Sequence, residues 1–331
     1  MKTPLVSIII PSYNRESIIK ETLESVLLQS YSNWECIVVD DLSNDSTVQI
    51  VKSYSNIDSR FIHYLRPEDK PKGPSSCRNY GVTKANGKYL IFLDSDDLLA
   101  PSCIERRVAK FLENPNCDFL VFQMERFEIQ PDYLKKVKKF EDNKNTILAS
   151  FISLHGQWPI TSPIYRTSFF KNKIGFNERL KVFEDLEVAI YSIVFANCFL
   201  IFENIDCFYR NDINYKEKYN SLEVKTKMLE NFQIFIESLS KLIANNPEQR
   251  FKNKDIKNHL VASYKKVFHF YILENSKIFK KYNISLLKQL RSREYLATGE
   301  VFEFYFVDLI LLPFAHIKGL GIYRFIKFIY K

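Results

Sequence analysis

Up to about residue 212 the chain alternates short apolar runs with polar turns, and beyond residue 220 it changes to long stretches with helical spacing. Residues 6–10 are a β-branched run suited to a parallel strand covered on both faces. From Glu16 onward, Ile19, Leu23, Val26 and Leu27 recur at helical spacing and predict a helix to about Gln29. Residues 34–39 and 61–65 predict two further strands, separated by a helix that starts near 44–46 and carries Val48, Ile50 and Val51. Residues 74–85 predict a helix closed by Asn86-Gly87, a pair that tolerates the left-handed conformation. The apolar run 89–93 follows and stops at Asp94, Ser95, Asp96 and Asp97, with a helix expected to begin near Pro101. Strands are expected at 118–122 and 199–208, an exposed Lys-rich loop at 125–145, and a helix opening at Glu184-Asp185. The last third predicts helices near 222–245, 253–282, 285–297 and 300–312.

Strands alternating with helices imply an α/β fold: a mostly parallel, right-handedly connected sheet with helices on both faces. Ligands in such sheets bind outside the carboxyl ends of the strands. Three of those ends carry Pro11-Ser12-Tyr13-Asn14, Asp40-Asp41 and Asp94-Ser95-Asp96, which are expected to converge on one crevice. The expected division is a catalytic domain over 1–220 and a helical region over 221–331.

Composition adds three constraints. At 46% apolar residues the 331-residue chain is expected to fold rather than stay disordered. Residues 221–331 hold 19 Lys and Arg against 10 Asp and Glu, which leaves 28 against 29 for the rest, so the basic excess lies wholly in the last third. That asymmetry suits nucleic acid, an anionic membrane surface or a solvated helix face. Residues 301–330 interleave aromatics with Lys318, Arg324 and Lys327, which favours a membrane headgroup region over nucleic acid; a core helix or a homodimer interface is the competing reading. Glu303, Asp308 and Pro313 interrupt that stretch, so no spanning helix is expected there. The six cysteines include no C-x-x-C pair and read as buried free thiols in a reducing compartment. No signal-peptide pattern precedes residue 6. The expectation is a cytoplasmic protein, peripheral on the inner face of the cell membrane.

The chemistry begins at Asp94, Asp96 and Asp97. Carboxylates a few ångströms apart raise one another's pKa unless a cation lies between them, and hard oxygen ligands suit Mg2+ or Mn2+. An acidic turn capping the next helix is the alternative. No G-x-G-x-x-G and no G-x-x-x-x-G-K-[ST] occurs, which disfavours dinucleotide cofactors and the lysine-bearing phosphate loop.

VSIIIPSYN at 6–14, VVDDLSND at 38–45, CRNYGVTKANGKYLIFLDSDD at 77–97 and FEDLEVAI at 183–190 together resemble the family 2 inverting glycosyltransferases. The resemblance covers about residues 4–212 and implies the GT-A fold with a nucleotide-diphosphate sugar as donor. It implies that Tyr13 lies against the base and that Asp40, with Asp41, accepts the imide hydrogen of a uracil. Arg78 approaches the diphosphate, Asp96 ligates the metal and Asp94 lies nearer the ribose and metal waters. Asp185 is the implied general base, with Glu184 beside it orienting the acceptor or capping the helix. Trp158 is either a sugar platform on the acceptor side or a buried core residue. Tyr209-Arg210 is another family-like pair. The histidine that many relatives carry a few residues later is missing, which leaves Asn214 or water as the second metal ligand. The reading is a metal-dependent hexosyltransferase that uses a UDP-sugar and a growing or lipid-linked glycan in bacterial surface polysaccharide assembly. Two alternatives are a nucleotide-sugar-forming nucleotidyltransferase and an inactive nucleotide-binding or scaffolding subunit.

Overall fold

In the computed structural model, β1 (Val6–Ser12), β2 (Trp34–Asp40) and β4 (Tyr89–Phe92) are buried along their whole lengths. Their continuous apolar runs are what a strand covered on both faces requires. With β3 (Phe61–Leu65) they make a parallel group in the order β3-β2-β1-β4. Residues 3–132, 140, 143–211, 221–246, 253–273 and 276–293 are described. Helices α1 (Ile19–Leu27), α2 (Thr47–Ile57) and α3 (Pro74–Lys84) make the crossovers. Gly81 lets α3 press onto β1, since a Cβ there would stand 2.6 Å from Cγ2 of Ile9.

Beyond β4 come β5 (Leu98–Leu99), α4 (Cys103–Glu113), β6 (Phe119–Phe127) and α5 (Lys144–Ile152). They are followed by β7 (Pro163–Arg166), α6 (Thr167–Lys173), α7 (Glu184–Phe195) and β8 (Phe199–Arg210). The eight strands form one mixed sheet, β3-β2-β1-β4-β7-β6-β8-β5, in which β7 runs antiparallel to β4 and β6, and β5 antiparallel to β8. The sheet is therefore less uniformly parallel than strand–helix alternation predicts. Strand β6 continues to Phe127, into the stretch expected to be loop. Pairing with β8 draws it out, supported by stacked Phe119–Phe199 and Phe122–Phe202 rings at 4.8 and 5.1 Å.

The fully buried Arg107 of α4 meets the equally buried Asp206 of β8 through two hydrogen bonds of 2.9 and 2.6 Å. Arg107 also donates to the Thr161 carbonyl (3.0 Å), fixing the chain just before β7. Four cysteines, Cys36, Cys77, Cys103 and Cys207, are free and buried as expected. Cys117 and Cys198 correct the expectation of six free thiols. Pairing of β6 with β8 brings their Cα atoms to 4.4 Å, and the two are disulfide-bonded.

The chain divides into two compact units, Met1–Ile147 with Gly156–Ile213 and Leu148–His155 with Asn214–Lys331. In the described part of the second, Ser221 caps α8 (Leu222–Asn245) by accepting from the Val224 N–H at 3.2 Å. Helix α9 (Asn253–Val267) passes into a π-helical turn over Phe268–Ile272, and α10 (Ser276–Ser292) follows. The spacing predicts one helix over 253–282 and a break near 283–284; instead the wider turn ends α9, and α10 runs through 283–284. Phe232, Phe235, Leu260, Tyr264, Phe268 and Leu287 are fully buried in this unit. Lys266 donates to the Leu154 carbonyl at 2.9 Å, which ties the 148–155 segment to α9. No described helix is long and apolar enough to cross a membrane. The expected helix at 300–312 and the aromatic-basic stretch 301–330 lie outside the described residues.

Candidate active site

Parallel register places the ends of β1 and β2 side by side, with Ser12 opposite Asp40. Ser12 Oγ donates to Asp40 Oδ2 at 2.9 Å, and the Asp41 N–H donates to the Ser12 carbonyl at 2.8 Å. Asp40 is completely enclosed and also accepts from the N–H and hydroxyl of Ser43, at 2.7 and 2.6 Å. Asp41 is buried too, ion-paired with Arg66 and accepting from the Gly73 N–H at 2.9 Å. Pro11 is buried opposite Val39, one register step before Ser12. Tyr13 is 39% exposed, and the Lys72 ammonium lies 3.7 Å from its ring centroid. Asn14 accepts from the Asn44 N–H at 3.0 Å and lashes the two loops together.

The β4 end holds the acids. Arg78, projecting from α3, is almost wholly buried and donates to Asp94 Oδ1 at 2.5 Å, with Glu184 Oε1 at 3.5 Å from its other terminal nitrogen. Burial works against its charge, but Asp94 and then Glu184 more than offset this, so Arg78 is held firmly protonated. Its Nε and Nη1 are buried and make no hydrogen bond. Ser95 is buried and accepts from Arg15 Nε at 3.3 Å, while Arg15 Nη2 stands 3.5 Å from Asp96. Burial first, and Asp94 second, push the Asp96 carboxyl up, with Arg15 opposing. Asp97 turns inward, accepting from Thr161 Oγ1 and the Arg210 N–H, both at 3.1 Å. Arg210 also donates to the Asp96 carbonyl at 3.1 Å and so braces the acidic turn from β8.

Glu184 and Asp185 open α7 directly after Phe183, whose φ of 69° is a conformation that costs a bulky residue energy. Asn14 (φ 50°) and Leu42 (φ 62°) are likewise left-handed, so three of the four described non-glycine residues with positive φ flank these loops. Burial first, then Glu184, raise the Asp185 carboxyl to about 6. An acid in that range can take up a proton near neutral pH. Trp158 is buried at 5% exposure with its ring 5.9 Å from that of Phe140, a packed position rather than an open platform.

Asp94 and Asp96 keep 30% and 38% of their side chains exposed, and their oxygens suit a hard divalent cation. Among the described residues no three acids, imidazoles or thiols gather as a metal cluster. Asn214 lies outside the described residues. Arg15 and Arg66 escaped the sequence reading. Arg66 directly follows β3 and Arg15 lies three residues beyond β1, and only the register of the sheet shows which neighbouring acid each meets.

The model of glycosyl transferase family 2 matches residues 7–174, just over half of the chain. The chain belongs to that family. Its relatives include the Escherichia coli UDP-Glc:alpha-D-GlcNAc-diphosphoundecaprenol beta-1,3-glucosyltransferase WfgD, 41% identical over 35% of this chain and 44% of that protein. The poly(ribitol-phosphate) beta-N-acetylglucosaminyltransferase TarS of Staphylococcus aureus is 32% identical over 58% of this chain and 33% of that one. The chain thus spans less than half the length of these curated relatives. The crystal structure of S. aureus TarS 1-349 in complex with UDP-GlcNAc superposes with a TM-score of 0.66 at 22% identity, covering 98% of this chain and 91% of that one. The GT-A fold expected from the family motifs is the fold observed.

Proposed function

We propose that this family 2 member is an inverting glycosyltransferase that moves one sugar from a UDP-sugar to a hydroxyl of a growing or lipid-linked glycan in bacterial surface polysaccharide assembly. The observation that carries the reading is Arg78: a buried, firmly charged guanidinium with two nitrogens free of hydrogen bonds, set between the acids of β4 and those of α7. Buried donors without acceptors are costly, and diphosphate oxygens would satisfy them. Names of relatives supply the class of donor and acceptor, UDP-Glc with a diphosphoundecaprenol-linked sugar in WfgD and an N-acetylglucosaminyl transfer in TarS.

Tyr13 offers its ring face to the base once Lys72 is displaced. Asp40 remains the candidate imide acceptor, and with three bonds already made to Ser12 and Ser43 it would be reached where the Ser43 hydroxyl now lies. Asp185 takes the proton of the acceptor hydroxyl, the oxygen bonds to the anomeric carbon from the face opposite the diphosphate, and the bond to UDP breaks with its electron pair leaving on UDP. Arg78 neutralises the departing charge. Mg2+ or Mn2+, held by Asp96 with Asp94, supplies further positive charge at the diphosphate when bound. Glu184, paired with Arg78, orients the acceptor side. Residues 301–330 are assigned to an anionic membrane surface, where a lipid-linked acceptor would be found.

The metal assignment has a direct test. Asp96→Ala is expected to abolish the metal-dependent part of UDP binding in calorimetry while leaving the melting temperature near that of the parent. Equal UDP affinity of the parent with Mn2+ and with EDTA would contradict it.

A further inference from the structure

Helix α3 presents two adjacent polar side chains to two parts of the site. Arg78 faces the acids. Asn79 faces the 174–183 loop, which leads into α7. Asn79 Oδ1 accepts from the Phe176 N–H at 2.9 Å, and Nδ2 donates to the Phe176 carbonyl at 2.9 Å and to Glu178 Oε1 at 3.0 Å. One amide thus brackets a residue as a neighbouring strand would. The side chain of Phe176 is held as well: it is buried, lies 5.0 Å from the Phe92 ring, and has the Arg78 guanidinium 5.2 Å from its centroid. Further along, Ser75 Oγ donates to the Leu180 carbonyl at 3.4 Å and Asn177 to Glu187 of α7 at 3.1 Å. Left-handed Gly175 (φ 109°) and Phe183 (φ 69°) bound the loop, so its path is fixed at both ends.

We infer that Asn79 is a positioning residue for transfer, fastening Phe176 to α3 so that filling of the diphosphate site at Arg78 is passed to the loop that presents Asp185. This rests on the donor and base assignments proposed above. Two links run in parallel from the same helix: Arg78 reaches Glu184 directly, and Asn79 holds the chain that aims it. Catalytic groups work only when a supporting layer holds their geometry, and Asn79 is that layer here.

Amide hydrogen exchange on the full chain, with UDP and Mn2+ as the probe, reads this coupling without an acceptor. UDP is expected to slow exchange at 6–14 and 38–45 and also, by about 10-fold or more, at 174–186. Asn79→Asp sets a second carboxylate against Glu178. It is expected to keep protection at the first two segments and lose it at 174–186. Adding Glu178→Gln, whose amide donates back, is expected to restore most of it. Glu178→Ala removes a single hydrogen bond and is expected to show the same loss in smaller measure, which keeps the test intact should Asn79→Asp fold poorly. With the accepted UDP-sugar, kcat of Asn79→Asp is expected to fall about 100-fold with little change in donor KM. Undiminished protection at 174–186 in Asn79→Asp and Glu178→Ala would overturn the inference and leave the donor reading standing. Absence of protection by UDP anywhere in the parent would overturn both.

Discussion

Asp185 carries the chemical weight of the account, because a sugar hydroxyl is a poor nucleophile near neutral pH. Asp185→Asn keeps the shape and removes the proposed base, so transfer is expected to fall by about 100- to 10,000-fold while UDP binding stays near that of the parent. The raised carboxyl adds a pH signature. Burial, with Glu184 next, sets it at about 6, so transfer should decline as pH falls through 6, along a limb the Asn variant lacks. For stability the sign is reversed. The folded carboxyl holds its proton more tightly than its ordinary value of 3.8 implies, so its contribution is complete below that value and lost as pH rises through about 6. Asp185→Asn is therefore expected to melt no lower than the parent at pH 8. At this scale the acids were legible, since Asp40, Asp94, Asp96 and Asp185 end apolar runs or open an apolar helix. Their partners were not. Arg66 meets Asp41 and Arg15 meets Asp96 across loops, and no local pattern marks a residue whose partner follows another strand.

Among elements, those built from their own sequence were read best. β1 to β4 are local apolar runs, α3 is marked by Pro74 at its start and Asn86-Gly87 beyond its end, and α8 covers the residues its spacing predicts. The two-residue β5 and four-residue β7 are too short to carry a period and exist as strands through pairing with β8, β4 and β6. Arg107 and Asp206 hold that half of the sheet to α4. Breaking a buried pair leaves an uncompensated charge, so Arg107→Met or Asp206→Leu alone is expected to cost about 3–5 kcal/mol in chemical denaturation. The double variant should lose clearly less than the sum of the two. Additive losses would show that the pair contributes only packing.

On the scale of the whole molecule, the basic excess belongs entirely to residues 221–331, and the family motifs belong entirely to the rest. Attraction of the former to anionic lipid should weaken with salt, since exposed charges are screened over about 8 Å at physiological ionic strength. Truncation after Thr298 is expected to release the protein from anionic vesicles while leaving donor hydrolysis intact; equal vesicle binding by both forms would favour a core or dimer role for the tail. The central claim is that three strand ends and α7 form a site for a UDP-sugar. It is tested most directly by incubating the full chain and Mn2+ with a panel of UDP-, GDP- and dTDP-sugars, scoring thermal stabilisation together with slow release of the nucleoside diphosphate. The account predicts that a UDP-sugar alone both stabilises the protein and is hydrolysed, and that Asp185→Asn keeps the stabilisation while losing the hydrolysis. Stabilisation by every nucleotide sugar alike, or by none, would contradict it.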